Sequence, residues 1–518
     1  MTTRSPAKSD ADLDTLTDAS DRRAKNALAA LLAVRDDVRE ESEKLMKIWR
    51  PALALPGYRA SAENLAHYLA LRRHDLSELQ AALAALGLSS LGRCESHVMA
   101  NLAAVAAALS RICGADPEPF PETQLWMEGE RRLAAESHAL FGRSRRATAI
   151  MVTLPSEAAS DPALAGAYIE AGMNCARIDC AHDDAESWAA MARHVRHAAR
   201  RVGRECRILM DLPGPKCRIE ALHPKKPERL HVGDRFRLAG ASVEAKGAST
   251  PVVEIGSPEV VAGLALEAQV WIDDGKIRGR VVKIEGSGRV VEVTGARPKG
   301  ERLRLDRGVN FPGAPLNLPA LSAEDFAALP AIVKHADMVG FSFVQRPQDI
   351  VDLERAIEKL RSDREPMPFV LKIETPEAVV NLPRLIVQSA GTRPTAVLIA
   401  QRDLAVELGH AKMAEMQEEM LWLCEAARVP VVWATQGLDD LVKEGLPSRP
   451  ETTDAAMAQR AECVMLNKGP CVVEAILFLS DLMGKMNRHQ NKKYAVLGAL
   501  RSWSLDRLAV EASRHADD

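Results

Sequence analysis

The spacing of apolar residues changes once along the chain, near residue 145. Before that point, Ala- and Leu-rich segments place their apolar residues at helical intervals and are broken at Pro51, at Pro56-Gly57 and at Gly87. The segment 75–88 begins with a capping sequence and then carries leucines along one face. This pattern predicts an all-α N-terminal module over residues 1–140.

After residue 145, short apolar runs typical of buried strands alternate with helical patterns. All but the third run are followed directly by a helical segment. Eight βα units in series favour a closed parallel barrel over an open doubly wound sheet. We therefore predict the α/β class and a (β/α)8 TIM barrel over residues 145–218 and 307–486. The runs are residues 147–152, 175–180, 206–212, 338–344, 369–374, 396–400, 431–435 and 463–466.

The third βα unit is interrupted by a segment of different character. Between residues 219 and 306 the pattern turns to short alternating strands with turn signals such as Asp273-Asp274-Gly275. The helix that should follow the third strand comes only at residues 322–335. We therefore predict a small β-barrel domain, called the insert below, over the mouth of the barrel, where it can exclude water. We predict a C-terminal tail over residues 487–518.

Composition and charge restrict the possible binding partners more than they restrict the possible folds. The 518 residues are 47% hydrophobic and 27% charged, with a formal net charge of −3, so we expect no nucleic acid and no membrane as partner. No apolar run approaches the ~18 residues of a membrane span, and the start is acidic at Asp10, Asp12 and Asp14, unlike a signal peptide. We expect a cytoplasmic protein whose nine cysteines, which include no CxxC pair, are buried thiols.

The same charge balance bears on the N-terminal module. A helix-turn-helix DNA reader would need a basic surplus that the chain lacks. The alternative is a small bundle that docks on a partner or on the rest of the chain. We expect a homo-oligomer, with this module as the candidate interface.

Polar residues at the ends of the predicted strands are the candidates for a site, because barrel enzymes carry their active sites there. Each alone has a structural explanation; Arg177, for example, can simply pair with Asp211. Together, several cations facing carboxylates indicate a site for a divalent metal and a phosphate, and hence phosphoryl transfer or enolate chemistry. His182 stays open between a site and a solvated loop. The candidates are Arg177, Asp179, His182, Asp211, Lys216, Arg218, Ser342, Lys372, Glu374, Asp403, Thr435, Asn467 and Lys468.

Seven short segments around these residues occur in a familiar order. They are Ala171 to Arg177 (AGMNCAR), Asp211 with Gly214-Pro215, Ile272 to Gly275 (IDDG), Arg307 to Gly313 (RGVNFPG), Ser342-Phe343, Lys372-Ile373-Glu374, and Val432 to Gln436 (VWATQ). Over residues 145–486 they resemble the barrel and inserted domain of the pyruvate kinase family.

The resemblance implies a metal-dependent transfer of a phosphoryl group from phosphoenolpyruvate to ADP. Glu374 and Asp403 are implied to bind Mg²⁺ or Mn²⁺, and Lys372 to stabilise the phosphoryl group as it moves. Thr435 is implied to lie beside the enolate that takes up a proton. The positions implied to contact substrate or nucleotide are Arg177, Arg218, His182, Ser342, Arg307, Asp274, Arg402 and Thr435.

The chain departs from the family at the monovalent-cation site. Asp179, Ala181 and Leu212 stand where the family has oxygen ligands for potassium, and Lys216 stands where potassium-dependent members have Glu. The resemblance places Asp211 in the same region. The ammonium of Lys216 can supply the charge of potassium, with Asp179 as its counter-ion. We therefore expect no requirement for potassium.

Further departures concern the nucleotide side and the ends of the chain. Arg402 replaces a glycine whose amide approaches the substrate carboxylate, Pro213 replaces a lysine, and residues 467–470 (NKGP) replace the family's SGET. Since only a short segment follows the last βα unit, we expect the family's C-terminal regulatory domain to be missing, and with it control by the family's sugar phosphate.

Three functions are therefore compared. The first is an active pyruvate kinase. The second is a metal-dependent enolate enzyme, an aldolase or lyase acting on pyruvate or oxoacids, which would bind metal and oxalate but not ADP. The third is a non-catalytic barrel scaffold, which would bind neither.

Overall fold

The computed structural model describes residues 10–144, 146–240, 250–314, 319–361, 365–434, 438–487, 490–491 and 494–495. The helices are α1 (Asp10–Trp49), α2 (Arg59–Leu71), α3 (Ser77–Ala85), α4 (Val98–Ile112), α5 (Thr123–Phe141), α6 (Pro162–Ala171), α7 (Ala185–Val202), α8 (Pro258–Gly263), α9 (Ala323–His335), α10 (Pro347–Arg361), α11 (Pro376–Ala390), α12 (Gln401–Leu408), α13 (His410–Ala426), α14 (Asp439–Glu444), α15 (Arg449–Ala458) and α16 (Val472–Met486). The strands are β1 (Ala149–Thr153), β2 (Cys175–Asp179), β3 (Arg207–Asp211), β4 (Ile219–His223), β5 (Arg235–Ala239), β6 (Val252–Ile255), β7 (Gln269–Ile272), β8 (Ile277–Glu285), β9 (Gly288–Gly295), β10 (Val309–Asn310), β11 (Met338–Phe341), β12 (Phe369–Ile373), β13 (Thr395–Ile399), β14 (Val431–Ala434), β15 (Cys463–Leu466), β16 (Gln490–Asn491) and β17 (Tyr494–Ala495).

Eight parallel strands close into a barrel, as the sequence predicts. Their order is β1-β15-β14-β13-β12-β11-β3-β2. In the β12–β13 pair, Lys372 lies beside Leu398 and Ile373 beside Ile399. The residues that directly follow the two strands therefore begin at the same level of the barrel mouth.

The insert forms a seven-stranded sheet of order β10-β7-β8-β9-β5-β6-β4. It has a hydrophobic cluster of its own, which includes Phe236, Val270 and Val291. Its last strand ends at Asn310, a few residues beyond the boundary that we placed at residue 306. The chain returns to the barrel through α9, which begins with a capping box at Ser322.

The N-terminal region is all-helical, as predicted, and it docks on the barrel. Asn64 Nδ2 donates to the carbonyl of Ala426, at the end of α13, at 2.8 Å. The Leu55 amide donates to the carbonyl of Gly391, which follows α11, at 2.7 Å. One hydrophobic cluster runs from this module into the barrel helices. The sequence left open whether this module docks on a partner or on the rest of the chain. In the structure it packs on the rest of its own chain.

The nine cysteines lie outside any disulfide, and seven of them are buried. Within the described ranges, no helix has both the length and the apolar character needed to cross a membrane.

Candidate active site

A cleft of about 240 Å³ opens at the C-terminal ends of the barrel strands. Strand ends contribute one part of its wall, and the loop that leads from β3 into the insert contributes another. The structure thus brings together residues far apart in the sequence. The predicted site residues in its wall are Arg177, Asp179, Lys216, Arg218, Ser342, Lys372, Glu374, Arg402, Asp403 and Asn467.

Lys372 and Glu374 are the centre of this cleft. They lie at the end of β12, two residues apart, so both side chains point to the same side of the strand. The Lys372 ammonium donates to Ser342 Oγ at 2.7 Å and lies 3.3 Å from Glu374 Oε1. Glu374 is only 4% exposed, and its Oε2 accepts from the Phe343 amide at 2.7 Å. The two side chains are therefore held in place by the turn that follows β11.

The charges of this pair depend on each other. Burial raises the pKa of Glu374, an effect that the Lys372 ammonium opposes and the Asp403 carboxylate reinforces. Burial also disfavours the Lys372 ammonium, but Glu374 and Asp211 outweigh it and raise the pKa of Lys372 to about 12. Lys372 is consequently a buried cation at neutral pH.

Arg177 is a second buried cation, at the end of β2. Its Nε donates to Asp211 Oδ2 at 2.6 Å, and its Nη1 donates to Thr153 Oγ1 at 3.1 Å. Asp179 Oδ2 lies 3.4 Å from Nη2. Asp211 needs the glycine beside it on β11, because a Cβ at Gly340 would lie 1.7 Å from Asp211 Oδ1. The pairing of Arg177 with Asp211 is thus confirmed as one part of a larger network.

Lys216 has a different partner from the one expected. Its ammonium donates to Asp403 Oδ1 at 2.7 Å. Asp179, the expected counter-ion, is paired with Arg177 instead. Burial works to raise the pKa of Asp403, but the Lys216 ammonium is the main force that outweighs it and holds this pKa below its ordinary value. The expectation was wrong because the loop after β3 carries Lys216 toward β13 rather than back toward β2.

The carboxylates of Glu374 and Asp403 are the residues suited to hold a divalent cation. Both residues line the same cleft, and the Asp403 carboxylate adds to the effect of burial in raising the pKa of Glu374. In the part of the chain that the structure describes, no three His, Cys, Asp or Glu side chains gather in a metal-binding group. Mg²⁺ typically takes one or two protein carboxylates and completes its shell with water and substrate oxygens. The donor set therefore fits Mg²⁺ or Mn²⁺ and not a site built from protein ligands alone.

At the mouth of the cleft, two arginines lie in half-exposed positions. Arg218 Nη1 donates to the carbonyl of Asp306 at 3.1 Å. Arg402, in the first turn of α12, has Nε 3.8 Å from Asp274 Oδ2 of the insert and Nη2 3.6 Å from Asp439 Oδ2 of the barrel. The side chain that replaces the family's glycine thus reaches outward between two carboxylates.

Arg307, Asp274, His182 and Lys468, which were also predicted, are not in the described wall of the cleft. Arg307 lies in the segment that leads back from the insert, with Nη1 3.6 Å from Asp273 Oδ1. Asp274 lies in the turn between β7 and β8. The His182 amide donates to the carbonyl of Asp179 at 3.1 Å, and the carbonyl of His182 accepts from the Trp188 indole at 2.8 Å. Thr435 lies outside the described residues.

Sequence reasoning missed two residues of the site. Thr153 ends β1, so the rule that points to polar residues at the other strand ends applies to it equally. Asp439 begins α14 just after β14, and it accepts from Asn467 Nδ2 at 3.0 Å. Asp439 lies beyond Thr435, the polar residue directly at the strand end, so the strand-end rule alone does not indicate it.

The chain was compared with known protein families. The family model described as pyruvate kinase, barrel domain, matches residues 145–471, so the helical module lies outside the matched region. A pyruvate kinase from Agrobacterium vitis is 29% identical over 68% of this chain and 72% of its own length. One from Thermococcus litoralis is 30% identical over 65% of this chain and 68% of its own length. One from Homo sapiens is 31% identical over 64% of this chain and 58% of its own length.

Proposed function

The chain belongs to the pyruvate kinase family, and we propose that it transfers the phosphoryl group of phosphoenolpyruvate to ADP, giving pyruvate and ATP. The observation that carries this proposal is the buried Lys372 ammonium, 3.3 Å from Glu374 Oε1, in the cleft that Asp403 also lines. A cation beside two acidic ligands is what a transferring phosphoryl group requires.

Lys372 is the main catalytic residue in this proposal. The transition state of phosphoryl transfer is loose and spreads charge over the equatorial oxygens, so positioned cations contribute more than a nucleophile. Because Ser342 and Glu374 fix the ammonium of Lys372, little reorganisation is needed when that charge moves. Arg177, held by Asp211 and Thr153, supplies a second fixed cation for the phosphate.

Glu374 and Asp403 would hold Mg²⁺ or Mn²⁺, which, when bound, neutralises substrate charge and orients the phosphoryl group. Arg218 and Ser342, in the cleft wall, are proposed to contact substrate, and Thr435 to lie beside the enolate as it takes up a proton. Asp274, Arg307, His182 and Arg402 are also proposed to contact substrate or nucleotide, and closure of the insert would exclude water from the site.

Potassium is not required in this proposal. The Lys216 ammonium already lies in the cleft, 2.7 Å from Asp403 Oδ1, and provides a fixed positive charge there. A charge that the chain supplies itself makes a second, exchangeable cation unnecessary.

The test is a coupled assay with phosphoenolpyruvate, ADP and Mg²⁺ or Mn²⁺, following pyruvate. We expect turnover by the wild type and a loss of at least a hundredfold in Lys372→Met, since removing one preorganised charge from such a site costs about 10²–10³ in rate. Lys485→Met is the matched control, because Lys485 is an exposed residue of α16 that pairs with Asp481. It should keep wild-type activity.

The alternatives predict other outcomes. If neither the wild type nor any variant turns over, isothermal titration calorimetry with Mn²⁺, with oxalate and with ADP distinguishes the two alternative functions. Binding of both, without binding of ADP, would identify a metal-dependent enolate enzyme of the aldolase or lyase kind. Binding of neither would identify a scaffold. Pro213 lies in the cleft wall, where the family resemblance predicts a lysine on the nucleotide side. This replacement is the observation that favours the enolate enzyme as a second candidate.

A further inference from the structure

The insert contacts a short helix of the barrel, α12, at two points. Asn310 Nδ2, at the end of β10, donates to Glu407 Oε1 at 3.3 Å. Asp274 Oδ2, in the turn between β7 and β8, lies 3.8 Å from Arg402 Nε. Arg402 and Glu407 lie near opposite ends of this helix, and Asp403 of the cleft lies next to Arg402. Contacts on α12 therefore connect the position of the insert with the wall of the cleft.

The barrel side of the Arg402 contact is firmly held. Asp439 Oδ2 lies 3.6 Å from Arg402 Nη2 and 3.0 Å from Lys443 Nζ. Asp439 Oδ1 accepts from Asn467 Nδ2 at 3.0 Å. Because Lys443 and Asn467 fix its carboxylate, Asp439 can orient the guanidinium of Arg402 toward the insert.

The insert side is a turn whose backbone is under strain. Asp273, Asp274 and Gly275 all have left-handed backbone conformations, with φ of 53°, 56° and 80°. This conformation costs energy for residues other than glycine, and aspartate is among those that tolerate it best. Asp273 is paired inside the insert, with Lys276 at 2.9 Å and Arg307 at 3.6 Å. Asp274, by contrast, has its ion pair with Arg402 on the barrel.

We propose that Arg402 is a positioning residue that holds the insert across the cleft, with Asp439 orienting its guanidinium and Asp274 as the partner that the insert brings to it. Arg402 stands where the family resemblance predicts a glycine. In this chain its positive charge attracts Asp274 of the insert and so helps to hold the insert over the cleft. This role depends only on the geometry of insert and barrel, and it does not rest on the proposed reaction.

The strength of this contact follows from its exposure. The Arg402 side chain is 44% exposed and that of Asp274 is 39% exposed. Exposed ion pairs contribute little each, so loss of the pair is expected to change the ratio of closed to open insert by about two- to fivefold. Salt screens such a pair over a distance of about 8 Å at physiological ionic strength. The closed state should therefore weaken as salt is added.

The experiment is hydrogen–deuterium exchange of the full-length chain without substrate, read on peptides that cover residues 212–218 and 400–408. We expect exchange there to rise about two- to fivefold in Arg402→Ala and in Asp274→Asn. The double variant should rise no further than either single variant, because both remove the same contact. Arg402→Lys should recover most of the protection, since an ammonium can still pair with Asp274.

Arg280→Ala is the matched control, because Arg280 is a similarly exposed arginine that pairs with Glu267 and Glu292 inside the insert. It should leave exchange in these peptides unchanged. Added NaCl should raise exchange in the wild type but not in Arg402→Ala. Unchanged exchange in Arg402→Ala, an equal rise in Arg280→Ala, or failure of Arg402→Lys to restore protection would each overturn the proposal.

Discussion

Lys216→Met is the change that tests most directly how the cleft handles charge. Methionine has nearly the length of lysine but no charge, so it fills the same space and leaves Asp403 without its 2.7 Å partner. In the wild type, a metal that uses both Glu374 and Asp403 must compete with the Lys216 ammonium. We therefore expect the variant to bind Mn²⁺ more tightly while it loses activity.

The magnitude can be estimated from the geometry of the pair. The Lys216 side chain is 25% exposed and that of Asp403 is 17% exposed, so solvent screens the contact only partly. A hydrogen bond between charged groups in such a place contributes about 1.5–3 kcal/mol. Since ~1.4 kcal/mol is tenfold in a binding constant, removing Lys216 should tighten Mn²⁺ binding by roughly 10- to 100-fold.

The assay is titration with Mn²⁺ in the absence of nucleotide, followed by electron paramagnetic resonance of the free ion. Asp403→Asn combined with Lys216→Met is the internal control, because without the carboxylate the gain should disappear. Lys485→Met should bind Mn²⁺ as the wild type does. Equal Mn²⁺ affinity in the wild type and Lys216→Met would refute the reasoning, since it would show that the metal and the ammonium do not share Asp403.

Three further predictions concern other parts of the molecule. Replacing tetramethylammonium by potassium should change the turnover rate less than about twofold if a fixed ammonium serves in place of an exchangeable cation; a strong increase would contradict this. Asp211→Asn should lower the free energy of unfolding by about 3–5 kcal/mol, because it removes the buried partner of Arg177 and Lys372; an unshifted urea midpoint would contradict it. Burial lowers the pKa of His97 to about 4, below its unfolded value of about 6.5, so the unfolded chain binds the extra proton; stability should be full above pH ~6.5 and fall by up to about 3 kcal/mol as the pH drops to about 4. Urea midpoints across this range should depend less on pH in His97→Gln, and equal slopes in the two proteins would contradict the assignment.

The sequence predicted the barrel well because buried parallel strands produce a simple signal. Each run is short, continuous and apolar, and the polar residue that ends it marks the mouth of the barrel. Lys372 and Glu374 were found in this way, since their two-residue spacing on one strand already places them on one side. The order of the strands around the closed barrel then follows from the repetition of one βα unit.

Partners across loops were not predictable in the same way. Lys216 lies on a loop, where no periodicity indicates direction, and either Asp179 or Asp403 was within the reach of a flexible four-carbon side chain. The docking of the helical module was equally hidden. Its contact with the barrel includes the hydrogen bond from Asn64 to the backbone carbonyl of Ala426. Every residue has a backbone carbonyl, so the sequence does not indicate which one Asn64 contacts.

The separation of the hydrophobic clusters has a consequence for how the chain unfolds. One cluster joins the helical module to the barrel helices, whereas the insert keeps a cluster of its own around Phe236. Elements that share a core melt together, and those with separate cores melt apart. A calorimetric scan should therefore show two transitions. Module and barrel form one cooperative unit, and the domain that covers the cleft is a second unit, able to lose its structure while the cleft itself persists.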